Sequence, residues 1–398
     1  MNVDSARIER VKKGFEETFG TQEKLMYFSA PGRTEIGGNH TDHQHGRVLA
    51  AAVNLDVLAA AAVNGERVIR VRSEGYPLCE VGLDELEPNE AEYGSTTSLV
   101  RGVTAEFEKR GAELIGFDAY MISDVLRGSG LSSSAAFEVM MGTIINHLMY
   151  GDRATAVEIA QIGQIAENVY FGKPCGLMDQ MASSVGNLVT IDFADNSNPI
   201  VEKIDFDFSK CGYTLCIIDS GADHADLTDE YAAIPAELKN VCAVFGKSYL
   251  REVPEEEFMR RLPEVRSAAG DRAAMRALHV YEENRRVEGQ CEALKKNDFD
   301  TFLQLIRKSG ESSWMYLQNV VPAGHKEHQE MAIALALCAK LLDGAGAYRV
   351  HGGGFAGTIQ AFVPDEKLAN FVKEMDRVLG EGSCHCLNIR VEGGVWIQ

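Results

Sequence analysis

Apolar positions recur along the chain with two different periods. Ile8, Val11, Phe15 and Phe19 share one face at helical spacing. "RVIRVRSE" (67–74) alternates as a strand does, and "GFDAYMISDVL" (116–126) reads the same way. "RVLAAAVNLDVLAAAAVN" (47–64) predicts two buried strands, although its alanines also suit a helix. A helix is expected over about 95–110. In "LSSSAAFEVMMGTIINHLMYG" the helical period places Leu131, Phe137, Met141, Ile144 and Leu148 for packing.

The second half repeats the mixture. "NLVTIDFA" and "YTLCIIDSGA" predict strands, and helices are expected near 226–247, 270–308 and 326–343. "GAYRVHGGGFAGTIQAFV" is two strand-like runs around a glycine turn; a helix over 365–379 and a final strand, "NIRVEGGVWIQ", close the chain. Strands and helices alternate without the regular beat of a doubly wound or barrel fold, so the fold class is α+β. At 398 residues the chain suits two domains, and the composition breaks near "DNSNP", giving 1–195 and 196–398.

Composition narrows the function. A net charge of −20 argues against a nucleic-acid partner and an anionic membrane surface, but leaves room for a local nucleotide site. No apolar run reaches spanning length, and the charged N-terminus lacks a secretory apolar core. Nine cysteines with no CxxC pair suit a reducing cytosol, so a cytoplasmic protein is expected; a monomer is expected as well. "CHC" (384–386) reads as a strand with alternating faces or a small metal site.

Four stretches carry chemistry. "GRTEIGGNHTDHQHG" (32–46) gathers His40, Asp42, His43 and His45, a set that either zinc or a sugar's hydroxyls can use. "RGSGLSSSAAFEV" (127–139) combines glycines that admit a ligand with serines where a helix begins. Free N–H groups and the helix dipole there favour phosphate, but no GK[ST] follows, and a serine-capped turn is the plainer reading. "AENVYFGKPCGLMDQMASS" (166–184) spaces Glu167 and Asp179 twelve apart, one for a metal and one for a reacting hydroxyl. Asp179 stands among apolar and small residues, where a carboxylate needs a partner. "HGGGFAGT" (351–358) permits close backbone approach, or simply a hairpin bend.

In this order the four stretches resemble the GHMP kinases, and within them the galactokinases. The matching elements are "GRxxxxGxHTD", "GxGLSSSAA", "GxPCGxMDQ" and the late "GGGF", spread over nearly the whole chain. The resemblance implies a two-domain GHMP kinase fold with the active site between its domains. It implies an ATP-dependent 1-kinase for galactose that uses Mg²⁺. Arg33 and Asp179 match the catalytic pair, and His40, Asp42, Gly176 and Asp179 match sugar-binding positions. Gly128, Ser129, Gly130, Leu131, Ser132, Ser133 and Ser134 match the triphosphate cradle. Glu167 and a serine of the same run, Ser133 or Ser134, match the metal positions. His40 and Asp42 then read as a sugar-hydroxyl clamp rather than zinc ligands, and His43 and His45 have no matching role.

The departures lie at the sugar. Asn39 replaces the family's glutamate, which contacts the 6-hydroxyl, and His43 and Gln44 replace tyrosine and asparagine. In "DSGADHADLTDEYAAIPAELKN" (219–240) Tyr231 corresponds to a tyrosine walling the sugar, but the Arg-rich run that follows it is missing. Ala356 stands where glycine is usual. "HTDHQ" is also similar to "HIDHQ" of plant galacturonate kinases, which makes a galactose-like uronic acid the alternative substrate. A sensor that binds ATP and galactose without transfer is a further alternative, but such relatives lack a Ser-Ala pair here matched by Ser134 and Ala135.

Overall fold

The computed structural model describes residues 4–125, 130–222 and 227–397. A long antiparallel pair organises the first half: β1 (Met26–Gly37) runs against β2 (Arg47–Val63), from Met26 opposite Ala61 to Gly37 opposite Leu49. β2 is one strand where two were expected. It changes partner midway, pairing with β5 (Phe117–Ser123) over Val57–Val63 and with β6 (Leu188–Asp192) over Arg47–Ala51. Asn54, exposed at the changeover, interrupts the apolar pattern and mimics a strand end.

The alanines of β2 are explained by burial on both faces. Leu58, Ala60 and Ala62 meet Val11 and Phe15 of α1 (Ser5–Phe19). Val57, Ala59 and Ala61 join the main core with Val100, Val103, Met140 and Ile144. Small side chains allow layers to approach from either side. The sheet is completed by β3 (Val68–Ser73), parallel to β5, and by β4 (Cys79–Gly82). β7 (Ile200–Ile204) extends it beyond β6, and the chain's last strand, β12 (Val395–Ile397), pairs with β1. The first sheet therefore reaches past the expected 195/196 division and recovers its edge from the C-terminus. Over 388–394 the expected strand is reduced to a single bridge, Ile389 to Val53, because Gly393 and Gly394 pass directly against the Ser183 and Ser184 backbone and the Val139 and Thr143 side chains.

The helices over this sheet are α2 (Thr96–Lys109), α3 (Ser133–Met149), α4 (Ala156–Ile165) and α5 (Met178–Val185). A π-turn, Ala166–Tyr170, follows α4.

A second, four-stranded sheet has the order β11-β8-β10-β9: β8 (Tyr213–Asp219), β9 (Ala347–Val350), β10 (Thr358–Pro364) and β11 (Cys384–Leu387). "CHC" is the β11 strand. α11 (Glu330–Leu342) and α12 (Asp365–Leu379) cover one face through Leu335, Cys338, Phe371 and Met375. After α6 (Thr228–Val244), α7 (Glu255–Arg260) and α8 (Leu262–Ala269), the expected helix over 270–308 is two, α9 (Asp271–Lys295) and α10 (Phe299–Ser312). Asn297 adopts φ +54 and Asp298 caps Thr301, so the chain turns between them. One apolar cluster runs from Phe28 and Leu49 through Val287 and Leu294 to Phe302 and Phe362, so the two sheets share a core. Among the described residues, no helix is long and apolar enough to cross a membrane.

Candidate active site

β1 carries Arg33, whose side chain is buried. Its register against β2 shifts between Pro31 and Arg33 and again between Glu35 and Gly37. Such irregularities re-aim side chains, and Arg33 here turns to the first turn of α5. Its Nε lies 2.7 Å from Asp179 Oδ1 and its Nη2 2.6 Å from Oδ2, a bidentate pair. Nη1 donates to the Gly130 carbonyl, and the Arg33 backbone N–H donates to the Leu131 carbonyl at 3.0 Å. Burial pushes the Asp179 carboxyl up, but the Arg33 charge and hydrogen bonds, with the Ser132 hydroxyl, outweigh it and hold Asp179 below the usual carboxylate range.

The pair opens on a cavity of about 370 Å³ whose lining is mostly polar. Asp42, Gly176, Ser132, Ser133, Ser134 and Glu167 also face it. Ser133 begins α3, and Ser132, at φ +55, provides no side-chain cap. The first-turn N–H groups are thus left for an anion. Gly130 adopts φ +71, and a β-carbon there would sit 2.9 Å from His351 Nδ1, so both conformation and space require glycine. Leu131 is buried in the core and contributes its carbonyl to Arg33 rather than its side chain to the cavity. Gly128 and Ser129 lie outside the described residues.

Asp42 and Gly176 are pressed together: a β-carbon on Gly176 would meet Asp42 Oδ2 at 2.6 Å. Burial raises the Asp42 carboxyl, against hydrogen bonding from the His43 backbone, and Asp179 adds to the rise. Two carboxylates with opposite shifts therefore share one cavity.

Glu167 is buried on the π-turn. Its Oε1 is 3.2 Å from Lys173 Nζ, and its Oε2 accepts from Gln180 Nε2 at 2.9 Å. Gln180 also donates to Glu138 Oε2 at 2.9 Å, and Glu138 Oε1 has no partner among the described residues. Burial first, then the Glu167 charge, pushes the Glu138 carboxyl well above its ordinary range. The Glu167 carboxylate with the Ser132–Ser134 hydroxyls is an all-oxygen donor set that suits a hard divalent cation. Among the described residues no three His, Cys, Asp or Glu side chains form a metal cage; a site with one or two carboxylates plus substrate oxygens is the usual magnesium arrangement.

Asn39, His40 and Tyr231, expected at the sugar, meet at the Gly352–Gly354 turn instead of lining this cavity. Asn39 is fully buried and donates to Glu35 Oε1 at 3.1 Å and to the Gly352 carbonyl at 2.6 Å, while its Oδ1 accepts from Asn319 at 3.0 Å. His40 Nε2 donates to the Gly353 carbonyl at 3.0 Å. That leaves Nδ1 to accept from His43 Nε2 at 3.3 Å, and His43 Nδ1 to accept from the Gln44 amide at 3.2 Å. Burial, with His40, lowers His43 to about 3, so the His43 ring is neutral at pH 7. The Tyr231 hydroxyl donates to the Gly354 carbonyl at 2.8 Å. His45 stacks on Tyr249 with ring centroids 3.6 Å apart.

Residues the sequence did not single out support this arrangement. Glu35 pairs with buried Arg349. His279 Nε2 donates to the Asn39 carbonyl at 2.9 Å, and its Nδ1 accepts from Ser312 at 2.8 Å. Buried Glu283 accepts from the Gly38 N–H at 3.1 Å and from Ser309. A His and a Glu four apart on α9 were the available signal, but their partners Asn39 and Gly38 are 240 and 245 residues away.

Known proteins share these segments. Residues 13–63 match the galactokinase galactose-binding signature, and residues 98–187 match the GHMP kinase N-terminal domain. A galactokinase of Glaesserella parasuis serovar 5 (strain SH0165) is 34% identical over 369 residues, covering 91% of each chain. The chain belongs to the galactokinase family. A family member from Thermotoga neapolitana is 32% identical over 334 residues, 84% of this chain and 88% of its own. The fold is shared with Lactococcus lactis galactokinase crystallised with galactose, at TM-score 0.82 and 24% identity over 98% of this chain and 99% of that one. It extends to a mevalonate kinase at TM-score 0.65 and 16% identity over 92% and 99%. Family membership makes the chain a sugar kinase, a phosphotransferase with ATP as its second substrate.

Proposed function

We propose that this enzyme transfers the γ-phosphoryl group of ATP to the anomeric hydroxyl of galactose, with the sugar and the triphosphate meeting between an N-terminal and a C-terminal domain. The observation that carries the reading is the bidentate Arg33–Asp179 pair beside the uncapped N-terminus of α3. Asp179 accepts the sugar's anomeric hydroxyl and positions its oxygen for attack. Held ionised, it is a weak base, but a loose phosphoryl-transfer transition state needs little prior deprotonation. Arg33 fixes the Asp179 carboxylate and offsets charge developing on the transferred group. First-turn N–H groups and Ser132–Ser134 hydroxyls hold phosphate oxygens. Glu167 with Ser133 or Ser134 would hold Mg²⁺, which supplies charge neutralisation across those oxygens.

Asp42 and Gly176 form the sugar wall nearest Asp179. Asn39, His40 and Tyr231 hydrogen-bond the Gly352–Gly354 turn, so they act on the sugar end by positioning backbone. A neutral Asn39 brings no carboxylate of its own to repel a C6 carboxyl, which keeps galacturonate as the competing substrate. The test is ADP release with ATP·Mg²⁺ across galactose, galacturonate, glucose and no sugar. Galactose should give the highest kcat/KM. Faster turnover of galacturonate would transfer the assignment to uronic acids, and no sugar-dependent ADP release would favour a sensor.

A further inference from the structure

Lys173 lies within "GKPCG", and its ammonium reaches the same cavity as Arg33, Asp179 and the serine run. Its position is fixed twice. Its backbone N–H donates to the Glu167 carbonyl at 3.1 Å, closing the chain back over the π-turn, and Gly172 makes the reversal at φ +79. Its Nζ lies 3.2 Å from Glu167 Oε1. Lys173 is 64% exposed and Glu167 only 5%, so a solvated cation covers a buried carboxylate.

The charges around the cavity make this pairing informative. Asp42, Asp179 and Glu167 present carboxyl groups, while Arg33 and Lys173 are the cations among the described lining residues. Arg33 already commits two of its groups to Asp179 and a third to Gly130. A nucleotide's polyphosphate entering here meets one ammonium that can be redirected. Redirecting it exposes Glu167, the carboxylate suited to the divalent ion.

The geometry points to Lys173 as a phosphate-contacting residue that holds Glu167 while no metal is bound and turns its ammonium to a nucleotide phosphate oxygen when Glu167 is taken by a divalent cation. This rests on the kinase reading of the cavity. An ammonium and a divalent ion compete for one carboxylate, so removing the ammonium should affect metal and nucleotide in opposite directions. A lysine that merely positioned Glu167 would, on removal, weaken metal binding, and one that merely neutralised it would leave ADP affinity at saturating Mg²⁺ unchanged.

The experiment compares wild type, Lys173→Met and Lys173→Arg. ADP binding is measured by calorimetry at saturating Mg²⁺, and Mn²⁺ binding without nucleotide by electron paramagnetic resonance. Lys173→Met should weaken ADP binding at saturating Mg²⁺ by about tenfold or more, the size of one charge-assisted hydrogen bond, and should tighten Mn²⁺. Lys173→Arg, which keeps the cation, should retain ADP affinity within about threefold. Unchanged ADP affinity in Lys173→Met, or weaker Mn²⁺ binding, overturns the proposal. Sugar-dependent ADP release by wild type separates the two levels: if it is present, an unaffected Lys173→Met removes only this role; if it is absent and wild type binds no ADP, the kinase reading falls and this role with it.

Discussion

Asn39→Glu restores the residue usual in the family, and the structure predicts that it damages the protein rather than adjusting its substrate. The Asn39 amide is fully buried between two acceptors, Glu35 Oε1 at 3.1 Å and the Gly352 carbonyl at 2.6 Å. Glutamate donates to neither when ionised. The lost bond to Glu35, one to a charged group, contributes about 1.5–3 kcal/mol, and leaving the Gly352 carbonyl unsatisfied costs about 1–3 kcal/mol. The extra methylene must also fit a closed site. Together these give roughly 3–6 kcal/mol, and for a chain of this length Tm should fall by about 4–7 °C. The assay is thermal unfolding of wild type, Asn39→Glu, Glu35→Gln and the double variant. If two carboxylates are in conflict, Glu35→Gln should recover about 1 kcal/mol or more of the Asn39→Glu loss as a coupling term. Asn39→Glu with wild-type Tm and an altered galactose-to-galacturonate preference would refute this reasoning and make Asn39 a direct reader of the sugar.

Three other expectations test the surroundings. Gly176→Ala places a methyl 2.6 Å from Asp42 Oδ2, so the KM for sugar should rise about tenfold or more while ATP binding is kept; an unchanged KM detaches Asp42 from the sugar. Glu167→Gln should raise the half-saturating Mg²⁺ concentration by about tenfold or more, measured as ADP release against free Mg²⁺; full activity in EDTA would remove Glu167 from metal binding. Burial lowers His279 to about 4, against the charge of Glu283. The unfolded chain, with a His pKa near 6.5, binds more protons between those values, so stability present at pH 7 is lost as pH falls from about 6.5 to 4, by on the order of 3 kcal/mol. The difference in Tm between wild type and His279→Gln should shrink over that window; a constant difference contradicts the assignment.

How much of this was legible varied with the range of the cause. The helix at 365–379 follows from local periodicity alone and has those bounds in the structure. β1 did not show itself, because Pro31, Gly32 and Gly37 break the alternation, and the register shifts they accompany are what aim Arg33. The break between α9 and α10 was written in "KND", a turn signal overridden by the surrounding helical pattern. Glu167 and Asp179 stood out in their own segment, but Arg33 and its pairing with Asp179 were found through motif resemblance, since nothing in spacing brings residues 33 and 179 together. The burial of Asn39 was illegible for a related reason: its partners Asn319 and Gly352 lie 280 and 313 residues along the chain.

The central claim is that Asp179, held by Arg33, positions the anomeric hydroxyl for phosphoryl transfer. Single-turnover reaction of galactose with ATP·Mg²⁺, followed by phosphorus NMR of the product, measures it in wild type and Asp179→Asn. The account predicts galactose 1-phosphate from wild type, and a rate lower by about two orders of magnitude or more in Asp179→Asn, as for a lost base or positioning carboxylate, with ATP affinity largely kept. Phosphate at another hydroxyl, or near-normal transfer by Asp179→Asn, would contradict it.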